Sequence, residues 1–130
     1  SLRKKVQLNK LNNRIFFLGH KSNVIKYIKS SKLFISSSLW EDPGFVIIEA
    51  ALSNTSVISS DGPSGPKEII HQNEYGGYLF KNDDKKDLNK KIDQFLFEDE
   101  KKILEKKIFI KKNIKKFKIF NHVNLMKKYL

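Results

Sequence analysis

The 130-residue chain contains no cysteine. That excludes disulfides and thiolate metal sites, and it is compatible with a reducing compartment. No apolar run reaches the roughly 18 residues that a membrane-spanning helix requires, and Ser1–Gln7 lacks the apolar stretch of a signal peptide. No P-loop, Gly-x-Gly-x-x-Gly or His/Asp metal spacing occurs, and the Ser36–Ser38 cluster has no partner histidine that would make a Ser-His-Asp triad. Arginine is scarce too: Arg3 and Arg14 are the two, and every other basic residue is lysine. Sequence-reading nucleic-acid proteins favour the arginine fork, so nucleic acid is not an expected partner.

What the chain does have is a hydrophobic content of 39%, enough for one domain of ordinary size, and a net charge of +12. The charge is unevenly placed. Residues 101–130 hold eleven lysines and one acid, Glu105, whereas residues 1–100 are nearly balanced. An excess of lysine, isoleucine and asparagine is also what an A/T-rich genome produces. Residues 99–130 therefore read as a basic helical tail within a single domain spanning 1–130.

Taken in order, residues 1–13 are polar and read as the end of a helix. Ile15–Leu18 is a continuous apolar run closed by Gly19, as expected for a strand buried on both faces. His20 follows in a loop, either solvated or lining a cleft. Ser22 is a candidate N-cap for a helix carrying Val24, Ile25 and Ile28. Leu33–Ser36 reads as a second strand and Val57–Ile58 as a third. The turn-rich loop Asp61–Pro66 leads to a helix whose cap Glu68 would reach, and Tyr78–Phe80 reads as a fourth strand. Leu88, Ile92, Phe95 and Leu96 then recur at helical spacing. Asp99-Glu100 open a basic helix with Ile103, Ile110, Ile114 and Phe117 on one stripe, and Val123–Leu130 closes the chain as a short helix. Alternating strands and helices give an α/β fold with a parallel, Rossmann-like sheet and helices on both faces. In such sheets ligands bind beyond the carboxyl ends of the strands. Gly19-His20, Ser37–Gly44 and Ser60–Gly65 are therefore expected to gather at one edge.

One stretch organises the rest. Ser36 to Gly44 forms a polar loop, and Phe45–Leu52 is apolar except at Glu49, which reads as a buried helix. Glu49 would share a face with Phe45, Ile48 and Leu52, where a carboxylate needs a partner. That partner is either backbone of its own fold or a ligand. Gly44 leaves open N–H groups at the helix start, a natural anion site. Glu41 adds a second carboxylate to the same terminus. Donors for phosphate beside carboxylates for hydroxyls suit a sugar nucleotide.

Glu41 to Glu49, with Gly44-Phe45 between them, resembles the Glu-x7-Glu signature of retaining glycosyltransferases of the GT-B fold, group 1 or family 4 type. Arg14–Gly19, Ser56–Asp61, Gly65–Ile70 and Gly77–Phe80 resemble the strands, loops and helix around that signature, in order over about residues 10–98. The resemblance is to the later part of the C-terminal, nucleotide-sugar-binding domain. It implies that Glu49 bonds the ribose hydroxyls of the donor and that Glu41, the catalytic candidate, contacts the transferred sugar. Gly44, Phe45 and Val46 would present backbone N–H groups to the sugar and diphosphate. Asp42-Pro43 stands where many members have Gly-Phe, a departure that bears on the sugar pocket. Lys67 lies near the donor in such enzymes, although a lysine in a first helical turn is ordinarily solvated.

The same resemblance implies a donor such as a UDP- or GDP-hexose, no metal or other cofactor, and a glycan or lipid-linked saccharide as acceptor, as in bacterial surface polysaccharide or lipopolysaccharide biosynthesis. It places the acceptor site in an N-terminal domain, and a phosphate-binding Arg/Lys pair in a strand before Ser1. The chain alone is therefore expected to be inactive. The expected location is cytoplasmic, with peripheral attachment to the membrane as an option. A GT-B sugar-nucleotide epimerase is the alternative within enzymes, and the Glu41/Glu49 arrangement speaks against it. A non-enzymatic basic binding module acting through residues 101–130 is the alternative outside them. For that tail, packing on the sheet with solvated lysines ranks first, an anionic membrane surface second and nucleic acid last.

Overall fold

A computed structural model describes residues 1–117. Its elements are α1 (Leu2–Leu8), α2 (Val24–Lys29), β1 (Leu33–Ser36), α3 (Phe45–Leu52), β2 (Ser56–Ser60), α4 (Gly65–Ile70), β3 (Tyr78–Phe80), α5 (Lys85–Phe97) and α6 (Glu100–Asn113), ending in a 3₁₀ turn, Ile114–Phe117. The three strands form a parallel sheet in the order β1-β2-β3. Leu33 lies opposite Ser56, and Ile58 opposite Tyr78.

This register sorts the side chains with a period of two. Phe34, Val57 and Leu79 face one layer, where they meet Ile28 of α2, Ile47, Ala50 and Ala51 of α3, Ile69 and Ile70 of α4, and Ile110 and Ile114. Ile58, Tyr78 and Phe80 face the other, against Leu88, Ile92 and Phe95 of α5. The sheet thus carries helices on both faces. A buried threonine reinforces the first layer, its Thr55 hydroxyl donating to the Ile28 carbonyl at 2.8 Å. Fully burying an isoleucine such as Ile47, Ile58 or Ile69 is worth about 1.5–3 kcal/mol.

Four expectations need correction. Ile15–Leu18 is not a strand, and all four of its side chains are exposed. A strand needs a neighbour to satisfy its N–H and C=O groups, and among the described residues this segment pairs with none: β1–β3 pair only with one another. The segment instead lies against α1, with the Arg3 guanidinium 4.7 Å from the centre of the Phe17 ring. Tyr78–Phe80 is consequently the third strand. The cap of α2 is Asn23, not Ser22, and its side chain makes no capping bond. Glu68 does not reach back to the start of α4, whose N-cap Ser64 has φ 68° and no side-chain cap. Leu96 is exposed rather than packed with Phe95. Val123–Leu130 lies outside the described residues.

Candidate functional site

The loops that follow the three strands meet at the carboxyl edge of the sheet. The Ser60 hydroxyl donates to the Ser38 carbonyl at 2.6 Å. The Asn82 side-chain amide donates to the Leu39 carbonyl at 2.9 Å, and the Asn82 N–H donates to Asp61 Oδ1 at 2.8 Å. Lys67 Nζ sits 3.7 Å from the other Asp61 oxygen, Oδ2. Asn82 thus bridges the loops after β1 and β2 from the loop after β3. Two glycines permit the close approach. A Cβ on Gly62 would lie 3.2 Å from the Leu39 carbonyl oxygen, and one on Gly65 only 2.3 Å from that of Pro43. The start of α4 is therefore pressed against the Pro43-Gly44 turn.

That turn launches α3. Gly44 adopts φ 82° and ψ 44°, a left-handed conformation glycine enters without penalty, and its carbonyl receives Ile47 N–H at 3.0 Å. No side chain caps the helix, so the N–H groups of its first turn, Phe45 and Val46 included, remain open donors. Asp42 and Pro43, the departure from the resembled pattern, are joined by a cis peptide bond. Glu41 lies beside the turn, its Cγ 3.5 Å from where a Gly44 Cβ would be.

The two layers of α3 differ. Ile47, Ala50 and Ala51 are buried, whereas Phe45 is 65% and Leu52 66% exposed. Glu49 belongs to the second set at helical spacing and is itself half-buried. The expectation of a helix buried all round is thus corrected: the face bearing Glu49 is open. Among the described residues neither the Glu41 nor the Glu49 carboxylate has a hydrogen-bond or ion-pair partner, so Glu49 is not held by backbone of its own fold. Trp40 and Leu39 stand exposed beside them.

Of the residues singled out by the sequence, Glu41, Gly44, Phe45 and Val46 therefore share one helix terminus at the sheet edge, with Glu49 one turn further along α3. Gly19-His20 is not tied to it: nothing lies within 4 Å of a Gly19 Cβ, and His20 is exposed. Asp61 and Asn82, which fix the loops, were not singled out. Their signal was a polar residue just after a strand, one position on for Asp61 and two for Asn82, which is common and therefore weak. Lys67 is neither free nor aimed at α3, since it pairs with Asp61. No group of three or more His, Asp or Glu among the described residues is placed to hold a metal ion.

A second polar cluster lies at the opposite, amino edge. The Tyr78 hydroxyl donates to Glu98 Oε2, and Lys91 pairs with Glu74. Lys106 donates to the Glu74 carbonyl at 2.7 Å and lies 4.7 Å above the Tyr78 ring. Burial, then the bond to Glu98, raises the Tyr78 pKa well above its ordinary value. Burial lowers that of Lys106, against the pull of Glu98 and Glu74. These groups satisfy one another and clamp the α5–α6 turn onto β3.

Comparison with known proteins agrees with this fold. The model of the family "Glycosyl transferases group 1" matches residues 1–117. An uncharacterized glycosyltransferase of Methanocaldococcus jannaschii is 44% identical over 73 residues, covering 53% of this chain and 18% of its own length. The poly(ribitol-phosphate) alpha-N-acetylglucosaminyltransferase of Staphylococcus aureus is 31% identical over 96 residues, covering 74% of this chain and 19% of its own. The chain thus spans less than a fifth of these relatives. Among solved structures, Anabaena HepE in complex with UDP and glucose superposes with a TM-score of 0.81 at 22% identity, over 99% of this chain and 36% of its own. The C-terminal domain of the group 1 glycosyl transferase LpcC of Francisella tularensis gives 0.72 at 23%, over 91% and 61%. The fold is that of GT-B glycosyltransferase domains.

Proposed function

This chain belongs to the group 1 glycosyl transferases, and we propose that residues 36–52 are its donor site, taking a nucleotide diphosphate sugar. The observation that carries the reading is the pair of unpartnered carboxylates, Glu41 and Glu49, flanking the uncapped terminus of α3. The N–H groups of Gly44, Phe45 and Val46 receive the diphosphate, where the positive end of the helix dipole favours negative charge. Glu49 accepts the ribose hydroxyls one turn further along, and Glu41 holds hydroxyls of the hexose. HepE was solved with UDP and glucose, which makes a UDP-hexose the first donor to test.

The reaction is transfer with retention. The bond from the anomeric carbon to the diphosphate oxygen breaks, and the acceptor oxygen bonds that carbon on the same face. The acceptor proton passes to the departing diphosphate. The open N–H groups stabilise the charge developing on the leaving oxygen, and Glu41 fixes the sugar for attack. No step requires a metal. The acceptor is a glycan or a lipid-linked saccharide, bound by the remainder of the enzyme.

The test is turnover of the full-length protein with UDP-hexose, the product's anomeric configuration being read by NMR. Retention is expected. Glu49→Gln should weaken UDP affinity roughly ten- to a hundredfold, the worth of a hydrogen bond to a charged group. Glu41→Gln should lower kcat with UDP affinity preserved. An inverted product, or UDP affinity indifferent to Glu49, would refute the assignment.

A further inference from the structure

The loop that carries Glu41 is held by side chains of other loops and strands. Two successive carbonyls, those of Ser38 and Leu39, accept from the Ser60 hydroxyl at 2.6 Å and from the Asn82 side-chain amide at 2.9 Å. Beyond Leu39, among the described residues, no hydrogen bond holds Trp40, Glu41, Asp42 or Pro43. The next anchor along the chain is Gly44, whose carbonyl receives Ile47 N–H at 3.0 Å. The Asn82 bond is thus the last fixed point before Glu41. Since the Glu41 carboxylate has no partner of its own, its position is set by the backbone that carries it.

Asn82 is well placed to fix that backbone. Its N–H donates to Asp61 Oδ1 at 2.8 Å, and Asp61 N–H donates to the Phe80 carbonyl at 2.8 Å, at the end of β3. The amide that meets Leu39 is therefore seated on the sheet. Gly62 leaves room for the meeting, since a Cβ there would lie 3.2 Å from the Leu39 oxygen and 4.0 Å from the Asn82 amide nitrogen. The other half of the same amide is informative. Asn82 Oδ1 is buried and has no hydrogen-bond partner. Buried polar atoms are nearly always bonded, and leaving one unbonded is costly. Leu39 lies in an exposed loop, where solvent is the ordinary partner of a carbonyl. Stability alone is a poor account of an asparagine that leaves its own oxygen unbonded in order to hold this one.

We propose that Asn82 is a positioning residue for glycosyl transfer: through the Leu39 carbonyl it fixes the Trp40-Glu41 segment and so holds the Glu41 carboxylate against the hydroxyls of the transferred sugar. Asn82 itself touches no substrate. The inference rests on the donor-site reading, whose sugar end it concerns. The nucleotide end does not depend on Asn82, because Glu49 and the open N–H groups belong to α3, which is seated by Ile47, Ala50 and Ala51. Asn82 should therefore act on the rate and not on nucleotide affinity.

Two measurements test this. On this chain, ¹⁵N relaxation of Asn82→Ala should show the order parameters of Trp40 and Glu41 falling from the rigid-backbone range, about 0.85, toward that of a flexible loop, below about 0.6. Those of α3 should not change. On the full-length protein with UDP-glucose, followed as UDP release, Asn82→Ala should lower kcat roughly ten- to a hundredfold, as a small misplacement of a substrate-positioning group does, and leave UDP affinity unchanged. Asn82→Asp, which keeps the shape and loses the donor, should behave alike. In a Glu41→Gln background, Asn82→Ala should cost nothing further, because both changes remove one function. A merely structural residue would slow both backgrounds equally and weaken UDP binding with them. The proposal is overturned by Trp40 and Glu41 order parameters that are already low or that do not change, by an unaltered kcat, or by equal losses in the two backgrounds. If Glu41→Gln leaves kcat unaltered, the donor-site reading falls and this inference with it. A slow Glu41→Gln beside a fully active Asn82→Ala strikes this inference alone.

Discussion

Two buried ionisable groups in contact can give opposite pH dependences to stability, and Tyr78 and Lys106 are such a pair. Tyr78 has a folded-state pKa raised above its unfolded value of 10.0. Its contribution is therefore fully present below about pH 10 and is lost as the unfolded phenol ionises. Lys106 has a folded-state pKa below 10.5. Its charged form is penalised in the fold at neutral pH, and the penalty lifts as pH rises toward the unfolded value. Between about pH 9 and pH 11, Tyr78→Phe should thus lose less thermal stability than wild type, because the lysine's rising contribution is no longer opposed. Parallel wild-type and variant curves would show that the phenol does not titrate differently in the fold. Nothing in the sequence announced this cluster. Tyr78 reads as a strand residue and Lys106 as one lysine among many, and only the packing of α6 under β3 joins them.

Individual elements were more legible. β1, α3, β2, β3, α5 and α6 follow from apolar periodicity because each buries one face or both against a neighbour, which leaves a period in the sequence. Ile15–Leu18 did not follow, because an apolar run does not record whether the segment lies alongside a strand edge or, as here, against α1. The burial of α3 was also misjudged: its residues are apolar on both faces, yet Phe45 and Leu52 lie outside. At α4 the close contact with the Pro43-Gly44 turn depends on the absence of a side chain at Gly65. A Cβ there would fall 2.3 Å from the Pro43 oxygen, inside any permitted contact, so backbone must move. Gly65→Ala should cost about 2 kcal/mol or more and displace α4 from the start of α3. Chemical denaturation would measure the first effect and amide shifts at Gly44–Val46 the second. Wild-type stability with unmoved amides would mean the two segments are not pressed together.

Across the whole molecule, parallel topology turned three scattered loops into one edge. Strand–helix alternation implies that topology, and the rule that ligands gather at carboxyl ends then places Ser37–Gly44 and Ser60–Gly65 together. The structure joins them through Ser60, Asp61 and Asn82. Gly19-His20 fell outside for the same reason that Ile15–Leu18 did: without a paired strand ahead of it, a loop is not carried to the edge. The charge of the chain is likewise unevenly placed, with the carboxylates Glu41 and Glu49 at the carboxyl edge and six lysines against two glutamates on α6.

The central claim is that α3 begins a donor site read by Glu49, and a two-dimensional NMR titration of this chain with UDP-glucose, repeated on Glu49→Ala, tests it most directly. Glu49 has no partner within the described fold, so the substitution should leave stability within about 0.5 kcal/mol and the spectrum otherwise intact. Shifts are expected at Gly44–Glu49 and in the Ser60–Gly65 loop, and the variant should lose most of them. Shifts that persist in the variant, or that appear only on α6, would contradict the assignment.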